Sequence, residues 1–179
     1  AREIVLGAVI MNKIIIRPAT SEDVPAITEI YNCAIRTSTA TFDMVEKTIE
    51  DRHRWLSEHG DRYPVVVTEV DGQVAGWGSL SRYGERPGWR FTVEDSIYID
   101  EKFRGMGIGK AILNYLLSEA ERLGYRAVIA QVISGNEASI RLHEKCGFEM
   151  VGVLKEAGNK FDQWLDVILM EKLLPGPRD

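Results

Sequence analysis

The chain has 179 residues, and its 45% hydrophobic and 27% charged content is that of one soluble globular domain with a full core. Its formal net charge of −5 argues against general nucleic-acid binding. The two cysteines, Cys33 and Cys146, have neither metal-ligand spacing nor a disulfide framework, so we expect free thiols, a cytoplasmic location and no metal site.

The ends of the chain are expected to lie outside the domain. Residues 1–10 are interpreted as an upstream extension or a cloning scar, because a domain-like pattern begins just after Met11. The apolar stretch Ile4–Ile16 is too short and too interrupted to span a bilayer, so we expect no membrane contact. Residues 11–174 form the predicted domain, and residues 175–179 a frayed tail.

Hydrophobic periodicity and turn residues predict the element order β-α-α-β-β-β-α-β-α-β-β. A strand, a helix and a further strand in the middle imply one parallel pair in an otherwise antiparallel sheet. The predicted fold is therefore α/β (α+β): a mixed sheet with a splayed central parallel pair and helices on both faces. The predicted strands are Lys13–Arg17, Pro64–Glu69, Val74–Leu80, Phe91–Ile99, Ala127–Val132, Phe148–Leu154 and Trp164–Met170, and the helices are Thr20–Ala34, Ile49–His59, Gly109–Leu123 and Asn136–Cys146.

A glycine-rich segment, Arg104–Lys110, joins a predicted strand to a predicted helix. Glycines at alternate positions let the backbone approach a ligand, and the free amides at the helix start favour phosphate oxygens. A P-loop is excluded because Gly105 to Gly109 is one residue short and Ala111 replaces the metal-binding hydroxyl, and a dinucleotide fingerprint would need a later third glycine. A glycine-rich turn without a ligand is the alternative.

The pattern Arg-x-x-Gly-x-Gly, formed by Arg104, Gly107 and Gly109, resembles the pyrophosphate loop of the GNAT N-acetyltransferases. The segment Asn136–Phe148 resembles a second motif of that family, with His143 where the family usually has tyrosine. The resemblance implies acetyl-CoA as cofactor and a splayed strand that pairs with its pantetheine arm. The implied coenzyme contacts are the backbone of Ile97 and Ile99, an amide near Tyr98, the segment Arg104, Gly105, Met106, Gly107, Ile108, Gly109 and Lys110, and the side chains of Asn136 and Ser139.

Two titratable groups are candidates for acid–base chemistry. Glu94 lies in an apolar strand, where a partly desolvated carboxylate with a raised pKa can take a proton from a substrate ammonium. The alternative is a solvated strand acid or an arginine partner. His143 titrates near neutrality and can donate or accept a proton, and the alternative is a helix histidine that only fills space.

Further short motifs between Ile14 and Lys172 resemble the phosphinothricin and methionine sulfoximine N-acetyltransferase branch of the family. They include Thr41-Phe42-Asp43, Thr92-Val93-Glu94 and Trp164-x-Asp166. This resemblance implies that Glu94 is the base, that His143 is its catalytic partner and that the enzyme is a homodimer with a small-molecule amine substrate.

Recognition of the amine substrate is assigned to a wider set of residues. Arginine side chains suit carboxylate and phosphinate groups, although a solvated basic loop is the alternative. Trp89 and Phe42 are expected in the pocket wall or at a dimer surface, and Lys160 and Trp164 are candidates for contribution by a partner subunit. The candidate substrate contacts are Phe42, Arg82, Arg86, Arg90, Thr92 and Lys160.

The predicted function is transfer of acetyl from acetyl-CoA to the α-amine of a small amino acid or analogue by direct attack in a ternary complex. Neither cysteine has a motif for an acyl-enzyme nucleophile. The alternatives are a different acceptor, such as a protein N-terminus or an aminoglycoside, and a non-catalytic acyl-CoA sensor.

Overall fold

The computed structural model describes residues 14–177, and the predicted extension 1–10 and the last two residues lie outside this range. The described elements are a seven-stranded sheet and four α-helices. In chain order they are β1 (Ile14–Pro18), α1 (Val24–Thr37), α2 (Ile49–His59), β2 (Val65–Val70), β3 (Gln73–Arg82), β4 (Thr92–Ile99), α3 (Ile108–Arg122), β5 (Ala127–Ile133), α4 (Glu137–Lys145), β6 (Glu149–Lys160) and β7 (Gln163–Leu173).

The predicted element order and mixed sheet are confirmed, and the largest difference lies in β6. This strand continues past the predicted end at Leu154 to Lys160. Its second half follows an irregularity between Leu154 and Gly158, where Glu156 has a φ of 49° and its amide donates to Asp166. The polar sequence there has no alternation of apolar residues, so periodicity ended the predicted strand too early.

The strand order is β1-β2-β3-β4-β5-β7-β6, and β4 and β5 are the parallel pair. Their pairing is confined to Thr92–Glu94 against Ala127–Ile129. Beyond it, β4 remains paired with β3 as far as Ile99, whereas β5 remains paired with β7 as far as Ile133. The two strands therefore separate after Glu94, which confirms the predicted splay and opens a gap in the middle of the sheet.

Helices cover both faces of the sheet. On one face, Ile112, Leu113 and Leu116 of α3 are fully buried in the main core. A Cβ added to Gly78 of β3 would lie 2.4 Å from Ile112 Cγ2, so glycine permits this close approach of helix and strand. On the other face, Ile27 of α1 packs in a second cluster with Trp77. Within residues 14–177, no helix is long and apolar enough to cross a membrane.

Candidate active site

The gap between β4 and β5 exposes main-chain hydrogen-bonding groups of β4. The amide of Asp100 donates to Ala75 of β3 at 2.9 Å, and the carbonyl of Phe91 accepts from Ala127 on the β5 side at 3.2 Å. Because successive residues of a strand direct their polar groups to alternate sides, Ile97 and Ile99 direct theirs into the gap. The amide of Tyr98 is directed towards β3 instead, so the amide predicted near Tyr98 belongs to one of its two neighbours.

The glycine-rich segment forms the start of α3. Gly105 and Gly107 have φ values of 80° and 78°, in the left-handed region that favours glycine. Gly107 is the N-cap, and its carbonyl accepts the amide of Ala111 at 3.1 Å. The preceding amides of the first helical turn, from Ile108 to Lys110, have no intrahelical carbonyl to donate to, which is the arrangement that binds anions.

A cavity of about 750 Å³ extends from this helix start along the gap, and we refer to it as the coenzyme cavity. The free first-turn amides and the unpaired β4 backbone fit the pyrophosphate and pantetheine groups of acetyl-CoA. Of the predicted coenzyme contacts, Met106 and Lys110 do not line the cavity. Those that line it are Ile97, Tyr98, Ile99, Arg104, Gly105, Gly107, Ile108, Gly109, Asn136 and Ser139.

One wall of the coenzyme cavity comes from residues that the sequence did not indicate. Cys33, Ala34 and Thr37 of α1 line it, as do Phe103 and Leu142. The α1 residues follow the buried positions Ile27 and Ile30 along the same helix. Helical periodicity describes these residues as ordinary amphipathic-face positions, and only the packing of α1 beside β4 places them next to a ligand site.

A second cavity of about 300 Å³ lies where β4 and β5 separate, and we refer to it as the acceptor cavity. The residues that line both cavities mark their junction, and they are Ala40, Ile97, Tyr98, Asn136 and Ser139. Asn136 is the N-cap of α4, and its side-chain oxygen accepts the Ser139 amide at 3.2 Å. The two cavities thus meet between β4 and the capped start of α4.

Glu94 is half-buried in the acceptor cavity and is the last residue of β4 that pairs with β5. Burial raises the pKa of its carboxyl, the nearby charge of Asp95 raises it further, and a 3.0 Å hydrogen bond from Gln131 opposes them. The net direction is upward. A carboxylate in this condition is a better proton acceptor than one in water.

His143 also lines the acceptor cavity but lies on the opposite face of the sheet from Glu94. The His143 Nε2 is 3.0 Å from Asp95 Oδ2. Asp95 follows Glu94 in β4, so the side chains of Glu94 and Asp95 leave the strand in opposite directions. The His143 Nδ1 is 2.7 Å from the Ser139 carbonyl. Its pKa is raised, because Asp95 and the Ser139 carbonyl outweigh the lowering effect of burial.

The loop between α1 and α2 forms the wall of the acceptor cavity and is held by β6. Lys160 is 2% exposed, and its Nζ donates to the Thr41 carbonyl at 2.7 Å. Phe42 lines the cavity, and its ring occupies the space above Gly158, where an added Cβ would be 2.1 Å from Phe42 Cζ. Burial lowers the pKa of Lys160. The structure therefore places Lys160 against the loop of its own chain and outside both cavities.

The predicted arginine contacts are not gathered at the acceptor cavity. Arg82 is exposed and lies 3.5 Å from Glu85, and Arg86 and Arg90 are exposed on the loop before β4. Thr92 pairs with Ala127 and does not line the cavity. Among the described residues that line the acceptor cavity, the charged groups are carboxylates and His143, with no lysine or arginine.

The family model and the curated relatives that match this chain all describe acetyltransferases. The model of the Acetyltransferase (GNAT) family matches residues 25–148. The chain is 40% identical over 161 residues to the phosphinothricin N-acetyltransferase of Alcaligenes faecalis, which covers 89% of this chain and 82% of that protein. It is 37% identical over 157 residues to the L-methionine sulfoximine/L-methionine sulfone acetyltransferase of Salmonella typhimurium, covering 87% and 92% of the two chains.

A solved structure agrees with the sequence comparisons. The crystal structure of a GNAT superfamily phosphinothricin acetyltransferase from Sinorhizobium meliloti, in complex with acetyl-CoA, superimposes with a TM-score of 0.86 at 37% identity. The match covers 90% of this chain and 88% of that one.

Proposed function

The chain belongs to the acetyltransferase (GNAT) family of acetyl-CoA-dependent N-acyltransferases, and we propose that it acetylates the α-amine of a small amino acid or analogue of the phosphinothricin, methionine sulfoximine or methionine sulfone type. The observation that carries the proposal is the half-buried Glu94, which stands in the acceptor cavity where the gap in the sheet begins. The names of the two relatives supply the acceptor class.

In the proposed reaction the acceptor amine enters the acceptor cavity and the thioester lies in the gap of the sheet. Glu94 takes a proton from the ammonium, which frees the nitrogen lone pair for direct attack on the thioester carbonyl. The amide of Ile97 or Ile99 polarises that carbonyl, and the first-turn amides of α3 bind the pyrophosphate. Because the attack is direct, no protein nucleophile takes part.

The composition of the acceptor cavity favours a second class of acceptor. Glu94 suits an ammonium group, but the lining residues include no lysine or arginine for an α-carboxylate or a phosphinate, and both ring nitrogens of His143 already face Ser139 and Asp95. Under the main proposal, one of Arg82, Arg86 and Arg90 must reach the mouth of the cavity, because the α-carboxylate is bonded to the same carbon as the amine. An acceptor without an anionic group, such as an aminoglycoside or a protein N-terminus, needs no such partner.

A thiol-release assay with acetyl-CoA and an amine panel tests the proposal. The panel contains phosphinothricin, methionine sulfoximine, methionine sulfone, their decarboxylated amines, an aminoglycoside and an N-terminal peptide. We expect turnover of the amino-acid analogues and weak turnover of the amines that lack the carboxylate. Preference for the aminoglycoside or the peptide would establish the second class, and binding of acetyl-CoA without thiol release from any amine would identify a sensor.

The proposed assembly is a homodimer, and the proposed location is the cytoplasm. The β6–β7 pair supports the first proposal, because it carries several large exposed apolar side chains, and exposed apolar surface is typical of protein contacts. The two unpaired cysteines support the second. Light scattering measures the assembly, and a monomeric mass would overturn it. The exposed apolar residues of the pair are Met150, Val151, Val153, Leu154, Phe161 and Trp164.

A further inference from the structure

Hydrogen-bond geometry fixes the protons of His143. The Ser139 carbonyl lies 2.7 Å from Nδ1 and can only accept, so Nδ1 carries a hydrogen. The Asp95 carboxylate lies 3.0 Å from Nε2 and, when ionised, can also only accept. Both ring nitrogens therefore face acceptors, which is the arrangement of a doubly protonated imidazolium and leaves no lone pair to take a proton.

The surroundings of the pair favour this ionised arrangement. The side chains of His143 and Asp95 are 5% and 2% exposed, so their opposite charges attract across a poorly solvated contact. Glu94 on β4 and Cys146 at the end of α4 are titratable groups that interact with the charge of Asp95, and Lys110 and Lys172 interact with Cys146. The Phe148 ring packs edge-to-face against the His143 imidazole, and the two ring centroids are 4.9 Å apart.

Asp95 itself has a feature that packing does not require. Its Oδ2 contacts His143, but its Oδ1 is buried without a hydrogen-bond partner in the described structure. A buried carboxylate oxygen without a donor is costly, and groups kept only to stabilise a fold normally have both oxygens satisfied. This cost is concentrated at the acceptor cavity, which Asp95 and His143 both line.

We propose that Asp95 is a positioning residue that holds His143 in its doubly protonated form, so that His143 acts as a proton donor and never as a base. The inference rests on the proposed acetyl transfer and divides the acid–base work between the two faces of β4. Glu94 removes the proton of the attacking amine on one face. On the other face, His143 supplies the proton that the departing thiolate needs.

Each turnover releases one net proton. The Nδ1–H bond of His143 breaks as its proton passes to the Ser139 hydroxyl, whose Oγ lies 3.3 Å from Nδ1, and the Ser139 O–H bond breaks as the S–H bond of coenzyme A forms. The ring retains the Nε2–H that donates to Asp95, and Ser139 lines both cavities. The ammonium loses one proton to Glu94, and the nitrogen loses a second as the amide forms. One of these two protons returns to Nδ1 through solvent, and the other is released. The sum is one amide, one thiol and one free proton.

Nuclear magnetic resonance of the histidine nitrogens in the wild-type chain without coenzyme tests the first half of the proposal directly. We expect both nitrogens of His143 to be protonated at pH 7. His59 is an internal control in the same spectrum, because burial lowers the pKa of its ring and its Nδ1 lies 2.8 Å from the Trp55 carbonyl. A neutral His143 at pH 7 would overturn the proposal without recourse to any variant.

The second half is tested with Asp95→Asn, which keeps the shape of the side chain and removes its charge. We expect the His143 pKa to fall, so that the ring is neutral at a pH at which the wild type is still protonated. At that pH kcat should fall by about 10²-fold, whereas at lower pH it should recover towards the wild-type value, because the lost group is an acid. Asp61→Asn, at an exposed position, is the matched control.

The results separate this inference from the proposed function. A wild type that releases no thiol with any amine would overturn the proposed function, whereas a wild type that acetylates with a neutral His143 would overturn only the inference. A lowered His143 pKa in Asp95→Asn with an unmoved pH profile of kcat would show that the pair is structural and would also overturn it. If Asp95→Asn does not fold, the wild-type spectrum decides the protonation state and the pH profile of His143→Gln decides the role.

Discussion

The two cavities are built from different parts of the chain. The groups of the coenzyme cavity that we assign to the pyrophosphate and pantetheine are main-chain groups, namely the first-turn amides of α3 and the unpaired edge of β4. They come from one stretch of sequence between Ile97 and Lys110, and side chains of α1 complete the wall. The acceptor cavity is formed by side chains from α1, the loop around Phe42, β4, β5 and α4. A main-chain site tolerates changes of side chain, whereas a side-chain site changes its chemistry with each substitution.

The largest expected effect tests the acceptor side. Glu94→Gln keeps the size of the side chain and its ability to form hydrogen bonds, but the amide cannot accept the proton of the amine. We therefore expect kcat to fall by about 10²–10⁴-fold. Coenzyme binding, measured by calorimetry, should not change, because Glu94 lies outside the coenzyme cavity. Glu149→Gln, at an exposed position of β6, is the control. Turnover at the wild-type rate would remove Glu94 from the mechanism.

The same residue predicts the pH dependence. A base must be ionised to act, and burial raises the pKa of Glu94, so kcat/KM should fall as the pH is lowered through a value above that of an ordinary glutamate. The pH–rate profile in Glu94→Gln should lose this acidic limb. An acidic limb at the position of an exposed carboxylate would contradict the burial argument.

The next effect tests whether the loop wall determines the acceptor. In Gly158→Val the new Cβ would lie 2.1 Å from Phe42 Cζ, so the ring must move into or away from the cavity. Overpacking of this kind costs about 1–3 kcal/mol, and we expect KM for the amine to change by about 10-fold while KM for acetyl-CoA does not. Gly152→Val is the matched control on the same strand, because its added Cβ would meet nothing within 4 Å.

A smaller effect is expected on the coenzyme side when the backbone itself is strained. In Gly107→Ala the new Cβ would meet nothing within 4 Å, but the φ of 78° costs a residue with a side chain about 1–2 kcal/mol. The affinity for coenzyme A should fall by about 10-fold, as measured by calorimetry. Gly88→Ala has the same open space without a positive φ and should bind normally. Equal affinities for both variants would mean that the conformation of Gly107 is not needed.

The smallest effect is the sharpest test of a main-chain site. Met106→Ala and Lys110→Ala remove side chains that do not line the coenzyme cavity, so each should alter coenzyme affinity by less than about 0.5 kcal/mol. A loss much larger than this from Lys110→Ala would show that its charge binds the pyrophosphate. The coenzyme cavity would then depend on side chains as the acceptor cavity does.

This difference also explains how much the sequence could predict. The glycine segment is a local pattern, and the splayed parallel pair follows from the order of a strand, a helix and a strand, so both could be predicted from short stretches of sequence. The position of the splay after Glu94 and the role of Asn136 as a helix cap were not predicted. The contact between Asp95 and His143 joins residues 48 positions apart, and the contact between Lys160 and Thr41 joins residues 119 apart. Strand alternation placed Asp95 on the face opposite Glu94, but without the packing of α4 it did not indicate a partner.

The arginines show a second limit of prediction from the sequence. Arg82, Arg86 and Arg90 were selected because their chemistry suits an anionic acceptor and because they flank β4 in sequence. In the structure they are exposed at the end of β3 and on the loop that follows, and they do not line the acceptor cavity. Residue chemistry and sequence proximity define a candidate, but direction and distance from the cavity depend on tertiary packing.

The short parallel contact in the sheet has a mechanical consequence. Four strands lie on one side of it and three on the other, and within the sheet they are joined by only three residue pairs, the last of which contains Glu94. The Glu94 carboxylate therefore lies at the point where the two halves of the sheet separate. A ligand that pushes the two halves of the sheet apart acts first on Glu94 and its hydrogen bond to Gln131. Hydrogen exchange of the Ile129 amide should therefore report occupancy of the gap more sensitively than exchange at either edge of the sheet.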